Sequence, residues 1–328
     1  MNAMNAGSTQ PVIDIRDLTV TFTGSRKPVH AVNGVDLAVG KGEVLALLGE
    51  SGSGKSVTLR TLLRLHPEKR TRISGQVLAA GEDVMALSGR ALADFRGRRV
   101  SMIFQEPLLA LDPVYTVGQQ IAESVRRHEK VSGAAAKARA LALLQQVRIP
   151  SPERRLEAFP HQMSGGMRQR AMIALALACN PEILLADEPT TALDATVQIQ
   201  ILLLLRDLQR ELGLSVILVT HDIGVAVEVA DRIAVMYAGR IVESGPVRDV
   251  IRAPKHPYTQ GLLASRAHDA MDGARLDAIP GAPPDLAALP PGCAFAPRCS
   301  RADDGCTLQQ PGLATVGPGH EARCLRIA

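Results

Sequence analysis

The sequence predicts an α/β protein built around a parallel β-sheet. Three continuous apolar segments, 43–48, 183–187 and 215–220, have the length of fully buried strands. Helical patterns at 58–65 and 196–212 follow the first and second of these segments. Because strands that alternate with helices form parallel sheets, we expect the three segments to lie in one sheet.

The segments before and between these strands predict two further parts. Apolar and polar residues partly alternate over 12–22, and the pattern repeats over 32–39 after a turn with glycine and proline. This is typical of antiparallel strands. Residues 116–159 carry Ala-rich helical periodicity interrupted by a glycine and two prolines, which indicates a helical insert.

The composition indicates an ordinary globular chain. Its 328 residues include 37 Lys and Arg against 33 Asp and Glu, a net charge of +4 without a long basic run, which is weak evidence for nucleic-acid binding. No segment approaches the length of a membrane-spanning helix. The N-terminus shows no secretory signal, so we expect a cytoplasmic protein.

A phosphate-binding loop is predicted between the first buried strand and its helix. Residues 49–56 match the pattern G-x-x-x-x-G-K-[ST] at every position. The backbone N–H groups of such a loop surround an anion, Lys55 should reach the β and γ phosphates of a nucleotide, and the Ser56 hydroxyl should ligate Mg²⁺. The predicted binding residues are Gly49, Glu50, Ser51, Gly52, Ser53, Gly54, Lys55 and Ser56.

An acid pair follows the second buried strand. Asp187 would hold the metal through water, and Glu188 could act as general base toward an attacking water. Two acids after a strand also commonly start a helix. The presence of the phosphate loop favours a functional role for this pair.

A third candidate is the helix start at Ser164, Gly165 and Gly166. Serine is a natural N-cap, and the glycines allow a close approach of the backbone to an anion. Serine and glycine also mark many loops that bind nothing.

Six motifs follow one another between residue 12 and about residue 250. They are the phosphate loop, Phe104-Gln105-Glu106, Ser164-Gly165-Gly166, Asp187-Glu188, Ala192-Leu193-Asp194 and His221. Their order resembles that of ATP-binding-cassette (ABC) ATPases. The resemblance implies a phosphate-loop fold with a β-subdomain, a RecA-like core and a helical subdomain near 106–165, all within a nucleotide-binding domain at 1–255.

The same resemblance implies roles for four more residues. Gln105 would ligate Mg²⁺ or water and sense the nucleotide, Asp194 would communicate across a dimer, and His221 would contact the γ-phosphate. Phe22 matches the aromatic residue that stacks on adenine, although an aromatic side chain at a strand end can also belong to the core.

The C-terminal region narrows the resemblance. HPYTQGLL at 256–263 and the cysteine-bearing tail look like the ATP-binding subunits of oligopeptide and dipeptide importers, a family that includes nickel and glutathione importers. Met167 stands where the wider family usually has Gln, and this matches the form of the subfamily. We expect a C-terminal region at 256–328.

Four cysteines in this tail are predicted to bind a metal. Cys293, Cys299, Cys306 and Cys324 are separated by five, six and seventeen residues. Zinc sites usually contain a closer pair, whereas an iron–sulfur cluster needs only four converging thiolates. The resembling family carries a four-iron four-sulfur cluster here, which we favour over zinc or free thiols. Because prolines interrupt the tail, we expect the metal rather than a core to hold it, with little effect on the phosphate loop.

Together these features predict an ATPase subunit at the cytoplasmic face of the inner membrane. The resemblance implies two permease subunits, a second related ATPase in a heterodimer and an extracytoplasmic substrate-binding protein as partners. The cargo is expected to be peptide, with nickel or glutathione as alternatives. The rival interpretation, an ATP-driven clamp on nucleic acid, is disfavoured because the chain has one phosphate loop and no heptad repeat.

Overall fold

The computed structural model describes residues 10–191, 193–267 and 279–327. Within these ranges the strands form a smaller antiparallel sheet and a larger mixed sheet. No helix of the described residues combines the length and apolarity needed to cross a bilayer.

The smaller sheet has the order β2-β1-β4-β5. Ile13 of β1 lies opposite Val39 of β2 on one side and Ala79 of β4 on the other, in antiparallel register. The antiparallel pair predicted over 12–22 and 32–39 is therefore confirmed. The strands are β1 (Ile13–Phe22), β2 (Val29–Val39), β4 (Thr71–Ala79) and β5 (Glu82–Asp83).

The larger sheet has the order β11-β12-β10-β9-β3-β8-β7-β6. The part from β9 to β6 is parallel, as predicted, and β10, β12 and β11 extend it in antiparallel fashion. The strands are β3 (Val44–Leu48), β6 (Val100–Ile103), β7 (Ile183–Asp187), β8 (Ser215–Thr220), β9 (Arg232–Tyr237), β10 (Arg240–Pro246), β11 (Ala314–Gly317) and β12 (His320–Ala322).

Helices cover the larger sheet and form the predicted insert. The helix after the phosphate loop begins at Lys55 rather than near Thr58, because the loop glycines lead directly into it. The helices are α1 (Lys55–Leu62), α2 (Gly89–Arg98), α3 (Pro107–Ala110), α4 (Val117–Glu129), α5 (Gly133–Gln146), α6 (Pro152–Leu156), α7 (Gly165–Ala176), α8 (Ala195–Leu212), α9 (Ile223–Val229), α10 (Val247–Arg252), α11 (Pro257–Ala267) and α12 (Asp304–Leu308).

The hydrophobic core lies on both faces of the larger sheet. Along β3, Val44, Ala46 and Leu48 join one buried cluster, whereas Leu45 and Leu47 join the other. Since successive side chains of a strand point to opposite faces, this alternation explains why the segment is apolar throughout.

The C-terminal region packs into this core, which corrects the expectation that it lacks one. The rings of Tyr237 on β9 and Tyr258 on α11 lie 4.5 Å apart, and Phe295 meets Tyr237 edge-on at 5.2 Å. All three side chains are buried. Tyr258 and Phe295 stand near prolines in the sequence, which therefore offers no periodicity from which their burial could be predicted.

A buried carboxylate also holds the C-terminal region. Glu243 on β10 accepts hydrogen bonds from the backbone N–H groups of Lys255 (2.7 Å) and His256 (2.9 Å), and it lies 2.8 Å from His320 Nε2. Burial lowers the pKa of His256 to about 4. A neutral ring fits the hydrogen bond that His256 Nδ1 accepts from the N–H of Tyr258.

Candidate functional site

The phosphate loop lies between β3 and α1, and two of its glycines are required by their surroundings. Gly49 has φ +152° and Gly54 has φ +106°. A Cβ atom would lie 2.2 Å from the Met236 carbonyl oxygen at the first position and 2.5 Å from the Ala31 carbonyl oxygen at the second. The loop can therefore approach β9 and β2 closely only with glycine at both positions.

The Lys55 ammonium is buried beneath the loop. Its Nζ donates hydrogen bonds to the carbonyl oxygens of Gly49 (2.7 Å) and Glu50 (2.9 Å). Burial lowers the pKa of Lys55, and the nearby carboxylates of Glu188 and Asp187 act against this shift. The group is thus a partly desolvated cation held at the loop, which suits it to an anionic ligand.

The next residue and the first acid of the pair meet across the sheet. The Ser56 hydroxyl donates a 2.7 Å hydrogen bond to Asp187 Oδ1, and Asp187 is only 1% exposed. Its Oδ2 atom makes no hydrogen bond within the described residues and lies 3.8 Å from Arg60 Nη2. Burial raises the pKa of Asp187. A hydroxyl beside a carboxylate oxygen without a hydrogen-bond donor fits a Mg²⁺ ligand set.

The second acid gathers the other predicted polar residues. Glu188 Oε2 lies 3.4 Å from Gln105 Nε2 and 3.3 Å from His221 Nδ1, so the structure brings these three side chains together. Thr191 Oγ1 donates to the same oxygen at 3.0 Å. Sequence reasoning missed Thr191. A hydroxyl residue three positions after an acid can reach back to it across a turn, and this spacing could have predicted the contact.

The backbone at Glu188 is strained. Its φ of +47° lies in the left-handed region, which is uncommon for residues other than glycine. The Glu188 N–H donates to the Val219 carbonyl oxygen of β8 at 3.0 Å and so fixes the turn. Such strain costs about 1–3 kcal/mol and is often found at functional sites, where it orients a side chain.

The helix start at Ser164 lies on the surface. The Ser164 hydroxyl caps α7 by accepting a hydrogen bond from the N–H of Met167 at 3.3 Å. Ser164 and Gly165 are exposed. A Cβ atom on Gly166 would lie 2.8 Å from Val197 of α8, so glycine is needed for these helices to meet.

Asp194 caps the neighbouring helix. Its side chain accepts from the N–H of Val197 at 2.9 Å and is exposed. The Ser164 and Asp194 side chains thus cap their own helices at the surface, whereas Lys55 and Asp187 are buried. Ala192, which belongs to the same predicted motif, lies outside the described residues.

Phe22 stands at the end of β1. Its partly buried ring meets His66 edge-on, with centroids 5.5 Å apart. The predicted stacking of Phe22 on adenine stays a prediction.

Glu50 links the phosphate loop to the C-terminal region. Its carboxylate lies 2.8 Å and 3.1 Å from the two terminal nitrogens of Arg298, and its N–H donates to the Tyr258 hydroxyl at 2.8 Å. The tail therefore contacts the phosphate loop directly, whereas the expectation that its metal has little effect on that loop stays a prediction. The sequence contained no signal for this contact, because the paired residues are 248 positions apart.

The four tail cysteines line one small cavity together with His256 and Phe295. Burial raises the pKa of the Cys293 and Cys324 thiols, and the neighbouring thiols add to the shift. Across the described residues, however, no three His, Cys, Asp or Glu side chains are placed to hold a metal ion. Thiols are suitable ligands for iron or zinc, but these thiols are not placed to hold either metal in the structure. The iron–sulfur cluster and the zinc ion therefore both stay predictions. The cysteines are Cys293, Cys299, Cys306 and Cys324.

Comparison with known proteins finds relatives that match this chain over nearly its whole length. The chain is 50% identical to a peptide import ATP-binding protein of Brucella melitensis, with 97% of this chain and 98% of the relative covered. It is 49% identical to a peptide ABC transporter ATP-binding protein of Sinorhizobium fredii, with 96% and 95% covered.

Solved structures show the same fold over about three quarters of the chain. The dimeric ATP-binding cassette MJ0796 bound to ADP and Pi is 31% identical, with a TM-score of 0.64, and the match covers 72% of this chain and 99% of that chain. CbiO1 of Clostridium perfringens, part of an ABC transporter complex, is 26% identical with a TM-score of 0.64 over 75% and 92% of the two chains.

A phosphate loop after a parallel strand and an acid pair two strands away define a phosphate-loop ATPase. The profile of the ABC transporter family matches residues 32–191, and that of the oligopeptide/dipeptide transporter C-terminal region matches residues 242–306. The chain belongs to the ATP-hydrolysing subunits of ABC transporters, and among them to the family of peptide import ATP-binding proteins.

Proposed function

We propose that this chain hydrolyses ATP to drive the import of peptides through a membrane complex. The observation that carries the proposal is the presence, in one chain, of a phosphate-loop ATPase site and an oligopeptide-transporter C-terminal region in contact with it. Nickel or glutathione as cargo finds no better support among these relatives, whose names mention peptides.

The site geometry supports a division of roles among its residues. Lys55 would bind the β and γ phosphates, while Ser56, Asp187 and Gln105 would hold Mg²⁺, which when bound neutralises phosphate charge. Glu188 would accept a proton from the attacking water, and His221 beside it would contact the γ-phosphate. The remaining members of the phosphate loop would bind through their backbone N–H groups.

The site becomes complete only when two cassettes meet. Ser164 and Gly165 lie exposed at the start of α7, where their backbone can reach a nucleotide bound to another chain. MJ0796, which is similar to this chain, is described as a dimer with ADP and Pi. We infer that Ser164, Gly165 and Gly166 close on the nucleotide of a second, related ATPase subunit, with Asp194 at the same interface.

A groove beside the helical insert offers a surface for the permease subunits. Its lining includes Phe104, Leu65, Met102 and Leu175, and the first two side chains are each 40% exposed. Phe104 directly precedes Gln105, so a displacement of Phe104 when a permease docks can be transmitted to the nucleotide site. The proposed complex has two permeases, an extracytoplasmic substrate-binding protein and this chain bound peripherally on the cytoplasmic face.

Purification of the intact complex tests the cargo. We expect peptide, supplied with the substrate-binding protein, to raise the ATPase rate of the complex, since transport and hydrolysis are coupled. Stimulation by nickel or by glutathione with none by peptides would reject the peptide assignment.

Mass analysis of the same complex tests its assembly. We expect one copy of this chain and one copy of a related ATPase beside two permeases. Two copies of this chain would show that the proposed heterodimer is wrong. The proposal that two cassettes share each nucleotide site would still hold.

The cysteine cavity has a separate test. We propose that a four-iron four-sulfur cluster draws together the four thiols that line this cavity, although no three of them are placed to hold a metal ion in the structure. Protein purified without oxygen should be brown and contain about four irons per chain, and Cys306→Ala should reduce this content, with Cys179→Ala as the control. Colourless protein with one zinc would reject the cluster, and metal-free protein with reactive thiols would reject both metals.

A further inference from the structure

Every polar group of Glu50 has a partner, although the residue occupies a variable position of the loop motif. Its N–H donates to the Tyr258 hydroxyl, its carbonyl oxygen accepts from Lys55 Nζ at 2.9 Å, and its carboxylate binds Arg298. The residue therefore stands between the C-terminal region and the ammonium group that is placed to bind phosphate.

Arg298 is held firmly by its surroundings. Its side chain is 5% exposed. Nε donates to the Pro280 carbonyl oxygen at 2.8 Å, and the guanidinium lies 5.8 Å from the Tyr237 ring centre and 5.9 Å from that of Phe295. An arginine fixed in this way presents its two terminal nitrogens to the Glu50 carboxylate in a constant direction.

A simple anchor for the tail would not need this arrangement. The tail is already attached through β12 and through the buried Glu243 carboxylate. The Arg298–Glu50 pair ends instead on a loop whose shape decides where the backbone N–H groups and Lys55 point. Fixing such a loop before the ligand arrives lowers the ordering cost of binding.

We propose that Arg298 is a positioning residue of the ATP site, which holds Glu50 so that the phosphate loop keeps its binding shape. The C-terminal region is then part of the machinery of nucleotide binding. This inference rests on the nucleotide site proposed above.

The experiment measures ATP affinity and hydrolysis of the full-length chain in its complex. We expect Arg298→Met to raise the KM for ATP about 5- to 20-fold, with kcat changed less than about threefold, because the loop rather than the reacting groups is disturbed. Glu50→Gln should act in the same direction. The double variant should be no weaker than Arg298→Met alone, since both changes break one interaction.

Control variants separate positioning from folding. Arg326→Met removes another tail arginine, which pairs with Asp303, and should leave the KM within about twofold of the wild type. Arg298→Lys keeps the charge and should give an intermediate KM, which serves if Arg298→Met does not fold. A lowered melting temperature with an unchanged KM, or an equal effect of Arg326→Met, would overturn the proposal.

The Lys55→Ala variant distinguishes the two proposals. If Lys55→Ala binds ATP and hydrolyses it like the wild type, the nucleotide site itself is misplaced. If only Lys55→Ala weakens binding, the site stands and the positioning role of Arg298 falls.

Discussion

Replacing Glu188 by Gln should abolish turnover and leave ATP bound. The amide keeps the size of the side chain and can accept the hydrogen bond that Thr191 donates, but it cannot accept a proton from water. General-base catalysis contributes about 10²- to 10⁴-fold, so we expect a rate loss of that order. Phosphate release in the complex, together with the affinity for a fluorescent ATP analogue, measures the two effects separately.

The control for this variant is Glu182→Gln. Glu182 immediately precedes β7, whereas Glu188 follows that strand. The Glu182 carboxylate pairs with Arg99 at 2.7 Å on the surface. Hydrolysis should be unchanged in this control. Normal hydrolysis by Glu188→Gln would show that the Glu188 carboxylate is not the general base. A loss of affinity for ATP would show that the carboxylate contributes to nucleotide binding instead.

Replacing Lys55 by Ala should weaken nucleotide binding itself. The variant loses a buried cation at the phosphate loop, and alanine preserves the start of α1 because it is a good helix former. A hydrogen bond to a charged group contributes about 1.5–3 kcal/mol, so we expect the Kd for ATP to rise about 10- to 100-fold. Titration of the fluorescent analogue measures this change.

Lys137→Ala provides the matched control. Lys137 is 63% exposed and pairs with Glu157 at 2.6 Å, away from the loop. It should bind ATP like the wild type. Unchanged affinity in Lys55→Ala, with turnover lost, would show that the lysine acts on the transition state rather than on binding.

The parts of the fold that the sequence predicted best are those with strong local signals. The bounds of β7 and β8 agree with the predicted segments, since buried parallel strands are continuous apolar runs. The phosphate loop was predictable because its glycines and lysine are neighbours in the chain. The motifs and the resemblance gave Gln105, Glu188 and His221 separate roles at the nucleotide, and the structure brings the three side chains together.

Other parts depend on contacts that no local pattern encodes. Arg298 and Glu50 are far apart in sequence, and Arg298 looks like an ordinary surface charge until the fold brings it to the phosphate loop. The same holds for Tyr258 and Phe295, which fill the core from a segment interrupted by prolines. The expectation that the tail lacks a core was therefore wrong, because its few apolar residues find their partners only in three dimensions.

The pairing of β12 with β10 affects how the chain can be shortened. Glu243 lies opposite Ala322 in the ladder, and the Arg323 N–H donates to the Val242 carbonyl oxygen at 2.8 Å. A chain cut after residue 255 would leave β10 as an open strand at the edge of the sheet, with unpaired backbone donors and acceptors. Exposed edges of this kind recruit strands from other chains. A shortened chain would therefore tend to self-associate, and studies of the isolated cassette need the C-terminal strands to keep it monodisperse.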